Sequence, residues 1–158
     1  MTDEHIKILK SFRDPLVGLP VSHLWRGAGS AIFLEFGLLR ERKRLDGTSG
    51  NSAGEFTLMI EWSWRIEDTT SILCGSWSDE SLWQPNFDLI RNKTVLGLTL
   101  FGRLPEIAVA LSENLHVSSF MTADGGPVWA LRDRREATTR SLRVEQGCLK
   151  LSFQSPNN

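Results

Sequence analysis

The chain has no tyrosine, three histidines and two cysteines among its 158 residues. Each scarcity removes a class of function. His5, His23 and His116 are far apart, and there is no His-x-His, His-x-x-x-His or Cys-x-x-Cys pair of the kind that zinc sites use, so no metal is expected. Cys74 and Cys148 sit in apolar, strand-like contexts ("SILCGS", "GCLKLSF"). They read as reduced core thiols, bridged only if the fold brings them together. No Gly-x-Ser-x-Gly is present. The Gly-bearing "RGAGS" at 26–30 lacks the Lys-Ser/Thr and the following helix of a phosphate loop, and "DGG" at 124–126 is turn chemistry. No cofactor is expected.

Charge of one sign is also missing. A net charge of −1 supplies no long-range field to gather a phosphate backbone or an anionic bilayer. Two local clusters are basic: Arg40, Arg42, Lys43 and Arg44 in "RERKR", and Arg132, Arg134, Arg135 and Arg140 in "RDRREATTR". A nucleic-acid face would add exposed aromatics or a recognition helix, so both clusters read as solvated loops or protein contacts, with no nucleic-acid partner. No apolar run approaches the roughly 20 residues that span a bilayer. The start, "MTDEHIKILK", does not resemble a signal peptide. The expectation is a cytoplasmic protein with no membrane partner.

What is present is β pattern. The 41% hydrophobic and 23% charged content fits one globular domain over 1–158. Thr2 can cap a short helix, with Asp3 and Glu4 in its first turn and Asp14-Pro15 closing it. Strands are predicted at 21–26, 31–38, 71–77, 94–101, 106–112, 115–120 and 128–131. A hairpin turns at Gln146-Gly147, and "SDESLWQPNFDLIRNK" allows a helical turn or two. Residues 40–54 read as an exposed loop. From Phe56 to Ile66 apolar residues alternate strictly, predicting one long, bent or bulged strand with Trp62 and Trp64 turned inward. The predicted class is mainly β, a sandwich or flattened barrel with a short N-terminal helix.

A repeat is also visible, spanning 16–77 and 89–153. Val21/Val95 and Leu24/Leu98 are 74 positions apart, Ile32/Ile107, Leu34/Val109 and Phe36/Leu111 are 75 apart, and Trp64/Trp129 and Ile66/Leu131 are 65 apart. The second unit would lack about ten residues, matching the loop at 40–54. Two units sharing a core across a pseudo-twofold are expected.

Six tryptophans are the least ordinary feature. Trp62 and Trp64 keep phase with core positions, whereas Trp77 and Trp83 bracket the polar "SDES" and break it. Trp77 and Trp83, with Asp79 and Glu80 between them, are therefore the candidate exposed contact site, alongside Arg40, Arg42, Lys43 and Arg44.

"LVGLPV", then "AIFLEFG" and "SWRIE", resembles a pattern in small uncharacterised bacterial β-rich proteins, some of which accompany toxins as immunity proteins. The resemblance lies in the first half and at scaffold positions, so it implies a non-enzymatic partner binder and carries over no active residue. Three readings follow. The first is a module that binds a protein partner or a second copy of itself. The second is a binder of a small apolar or sugar ligand in a tryptophan-lined pocket. The third is an enzyme whose site assembles from Glu61, His23, Asp79 and His116.

Overall fold

A computed structural model describes residues 1–156. Thr2 caps the first helix, α1 (Asp3–Leu16), its hydroxyl accepting from the His5 N–H at 3.2 Å. Leu9, Phe12 and Leu16 face the core. The helix does not close at Asp14-Pro15 as expected, because Pro15 sits inside its last turn. A proline there leaves the carbonyl four residues back without its donor. That carbonyl, of Ser11, accepts instead from Arg140 Nη2 at 3.2 Å, while the same guanidinium lies 4.3 Å over the Phe12 ring.

The strands then run β1 (Val21–Arg26), β2 (Ile32–Phe36), β3 (Phe56–Ile60), β4 (Trp64–Glu67) and β5 (Ile72–Gly75). A 3₁₀ turn (Glu80–Leu82) and helix α2 (Trp83–Ile90) follow. The second series is β6 (Val95–Phe101), β7 (Glu106–Leu111), β8 (Leu115–Ser119), β9 (Trp129–Asp133), β10 (Thr139–Glu145) and β11 (Cys148–Gln154). They form two antiparallel sheets, of order β1-β2-β3-β9-β10-β11 and β5-β4-β8-β7-β6. The chain is mainly β and the sheets do not close into a barrel, so the architecture is a sandwich.

The alternating run at 56–66 is two strands, not one. Residues 61–63 carry the chain from the six-stranded sheet to the five-stranded sheet. Phe56, Leu58 and Ile60 fill the core from one side, and Trp64 and Ile66 fill it from the other, all fully buried. Alternation survives because both sheets turn the same parity of side chain inward. Trp62, at the corner, is only half-buried. The loop at 120–128 closes over it, and Gly125 lies so near that an added Cβ would stand 2.5 Å from the indole.

Backbone bonds recur across the chain at the offsets of the sequence pattern. Val21 N–H donates to Lys93 O (2.8 Å) and Val95 N–H to Leu19 O (2.9 Å). Gly18 N–H donates to Val95 O (2.8 Å) and Asn92 N–H to Val21 O (2.7 Å), with φ of +96° and +71° at the two donors. The Trp64 indole donates to Ser30 O at 2.6 Å and the Trp129 indole to Pro105 O at 3.0 Å. Two differences stand out. Nineteen residues (37–55) join β2 to β3 where three (112–114) join β7 to β8, and β11 has no counterpart in the first series.

Candidate functional site

Trp77 follows β5 and is 74% exposed. Its turn is over-determined. Ser78 N–H donates to Gly75 O at 3.1 Å, Ser78 Oγ donates to the same carbonyl at 2.9 Å and accepts from Gly75 N–H at 3.1 Å. Asp79 caps the 3₁₀ turn by accepting from Ser81 N–H at 2.9 Å, a bond that holds its carboxyl below the usual range. Glu80 takes both amino groups of Arg26, at 2.8 and 3.2 Å, and this hydrogen-bonded pairing lowers its pKa as well.

Trp83 departs from expectation: it is 4% exposed. It opens α2, whose Trp83, Phe87 and Ile90 pack into the core, and its ring meets Trp64 edge-on at 5.0 Å. Arg26 covers the outer face of that ring at 4.5 Å. The helix also protects the free edge of β5, since the Trp83 indole donates to Gly75 O (2.9 Å) and Asn86 Nδ2 to Leu73 O (3.4 Å). Trp83 therefore anchors the turn that presents Trp77.

Arg40, Arg42, Lys43 and Arg44 are all exposed, but their loop is a bridged flap. Arg40 N–H donates to Ala53 O, Gly50 N–H to Arg42 O and Arg44 N–H to Thr48 O, each at 2.7 Å. The flap is anchored on different elements from the Trp77 turn. It returns through Gly54, which passes against the Phe36 backbone where an added Cβ would meet the Phe36 oxygen at 2.4 Å. Asn51 Oδ1 lies 3.1 Å from His23 Nε2.

Beneath the flap is a cluster absent from the sequence expectations. Register places His23, Glu35, Thr57 and Arg132 side by side on β1, β2, β3 and β9. Glu35 is 2% exposed; its Oε1 accepts from the Thr57 hydroxyl and, at 3.4 Å, from Gly54 N–H, while Oε2 has no partner among the described residues. Thr57 accepts in turn from Arg134 Nη1. Burial pushes the Glu35 carboxyl up, opposed by the Thr57 bond and the Arg134 charge. The Trp25 indole N–H lies near enough to favour the carboxylate without reaching hydrogen-bond geometry. The only sequence signal was a lone acid in the outward phase of a strand otherwise apolar on both faces.

The segment 132–140 is not a solvated loop either, as Arg132 and Asp133 end β9 and Arg140 lies in β10. Asp133 is 4% exposed, bonded to Arg135 (2.9 and 2.8 Å) and Arg140 (3.3 and 2.8 Å). Burial opposes its charge, but those donors outweigh burial and hold the carboxyl at about 2. The cysteines divide as well: Cys74 is buried, its thiol pushed up to about 11 by burial, whereas Cys148 is exposed, and the two are unpaired.

Glu61, His23, Asp79 and His116 do not converge. His23 is on the outer face of the six-stranded sheet, His116 on the outer face of the other, Asp79 in the Trp77 turn and Glu61 at the inter-sheet corner. An open groove of 680 Å³ is lined by Leu104, Pro105, Phe120, Met121, Val128 and Val144 among others, and by no tryptophan. Among the described residues no helix is long and apolar enough to cross a membrane, and no group of three His, Cys, Asp or Glu is placed to hold a metal. The chain matches no protein-family model, no curated protein and no solved structure.

Proposed function

We propose that the protein is a binding module for another protein, of the immunity type suggested by its sequence resemblance, and that Trp77 is the centre of its contact surface. One observation carries this reading: a large apolar side chain, 74% exposed, stands on a turn whose backbone is fixed by hydrogen bonds from Ser78 and Asp79. Tryptophan is enriched among residues that dominate binding energy, and a pre-ordered turn avoids the entropy of fixing its backbone on contact. Asp79, Glu80, Arg26 and Trp83 are then positioning residues. Exposed Leu82, on the adjoining 3₁₀ turn, extends the apolar surface.

The two unpaired cysteines support a reducing, cytoplasmic setting. The paired bonds at offsets of 74 and 75 support an internal duplication, with the second unit shortened by sixteen residues at one loop and lengthened by six at another, a net ten.

The test is a photo-crosslinking residue in place of Trp77, compared with the same residue in place of exposed Thr70, in cells that make the protein. One defined protein, or a second copy of the chain, crosslinked from 77 and not from 70 is the expected result. Equal labelling from both positions contradicts the reading.

A further inference from the structure

We infer that the outer face of the six-stranded sheet is a binding site for a doubly charged oxyanion, the phosphoryl group of free phosphate or of a small phosphomonoester, seated between Arg42 of the flap and Arg132 of β9 with Arg134 behind. The inference is independent of the role given to Trp77.

The cations are gathered and not neutralised. Register sets Arg132 beside Thr57, whose hydroxyl accepts from Arg134, and among the described residues the side chains of Arg42 and Arg132 make no hydrogen bond and no ion pair. Burial disfavours the charge of Arg132 and Arg134 most, and the charge of Arg42 adds to it. Arg143, the next guanidinium toward Arg132, is already paired with Glu145 at 2.9 Å. Glu35 is the carboxylate whose charge opposes those of Arg132 and Arg134, and it is committed through Thr57 to Arg134. Arg132 and Arg134 are half-buried and Arg42 is exposed above them, and like charges brought together are unfavourable unless a counter-charge joins them. Guanidinium forks match the oxygens of a phosphoryl group.

The molecule also supplies its own control. On the other sheet the positions equivalent to Glu35, Thr57 and Arg132 hold Ala110, His116 and Glu67, in the same register. There Glu67 is paired with Arg65 at 3.1 Å, and three residues replace the flap. The cluster and its cover occur together, on one of the two sheets only. Glu35 forms the floor, and among the described residues its buried Oε2 has no hydrogen-bond partner.

Calorimetric titration of the whole chain at pH 7.5 with inorganic phosphate and with glycerol phosphate, at ionic strength fixed with chloride, tests the site. One saturable site is expected, weakened at least tenfold in Arg132→Gln and in Arg42→Gln and unchanged in Lys10→Gln. Arg42 is on the exposed flap, so its variant reads binding even if Arg132→Gln fails to fold. Tighter binding of glycerol phosphate assigns the site to an ester, and binding of inorganic phosphate alone assigns it to the free ion. No saturable heat with either probe, or heat unchanged in both arginine variants, overturns the inference.

Discussion

At the scale of single residues, two buried carboxyls bind the protein to pH with opposite signs. Asp133 has a folded pKa of about 2, below its ordinary value, so its stabilisation is complete above pH ~4 and is lost as pH falls toward 2. Glu35 has a raised pKa, so its contribution is greatest in acid and declines as pH rises from ~4.3 through the folded value. Urea unfolding across pH 3–8 should therefore show Asp133→Asn destabilised by roughly 2 kcal/mol at neutral pH, with a flatter acid limb. Glu35→Gln should match the parent near pH 4 and equal or exceed it at pH 7. A Glu35→Gln variant that loses stability only at neutral pH would reverse the sign assigned to that group.

The two tryptophans of the 77–83 segment separate as cleanly. Trp83→Ala removes a ring that touches Trp64 and Phe87 and should cost about 3–5 kcal/mol, whereas Trp77→Ala should lie within about 0.5 kcal/mol of the parent. Thermal or denaturant unfolding distinguishes them directly.

At the scale of elements, local signals were legible wherever the cause was local. The Thr2 cap, the β2 pattern and the Gln146-Gly147 turn, with φ of +51° and +73°, each follow from a few adjacent residues. What failed was set by distant partners. Nothing near Pro15 announces that Arg140 will take the Ser11 carbonyl, and nothing in the 56–66 alternation marks the change of sheet, since inward parity is the same on both sides. Trp83 looked exposed because the strand phase had lapsed, but a new helix had begun and brought it inward. Cys148 looked buried because its strand alternates, but that strand is the last in its sheet and leaves Phe153 65% exposed. Glu35 was invisible because its cover comes from the flap. Gly54→Ala should unseat that flap, since a Cβ cannot pass the Phe36 backbone, and faster amide exchange at 40–53 with β1 and β2 unchanged would show it.

At the scale of the whole molecule, the two series exchange strands: the first gives three to the six-stranded sheet and two to the other, and the second gives three to the five-stranded sheet and three back. Such an arrangement buries one shared core and leaves the specialised features outside it. They are the flap over Glu35 on one face and Trp77 on a rigid turn at one edge. The measurement closest to the central claim is the affinity of the protein crosslinked from position 77 for the parent chain, Trp77→Phe and Trp77→Ala. Loss of about 2 kcal/mol or more in the alanine variant, with partial retention by phenylalanine, is the expected result. Equal affinity for all three chains would contradict it.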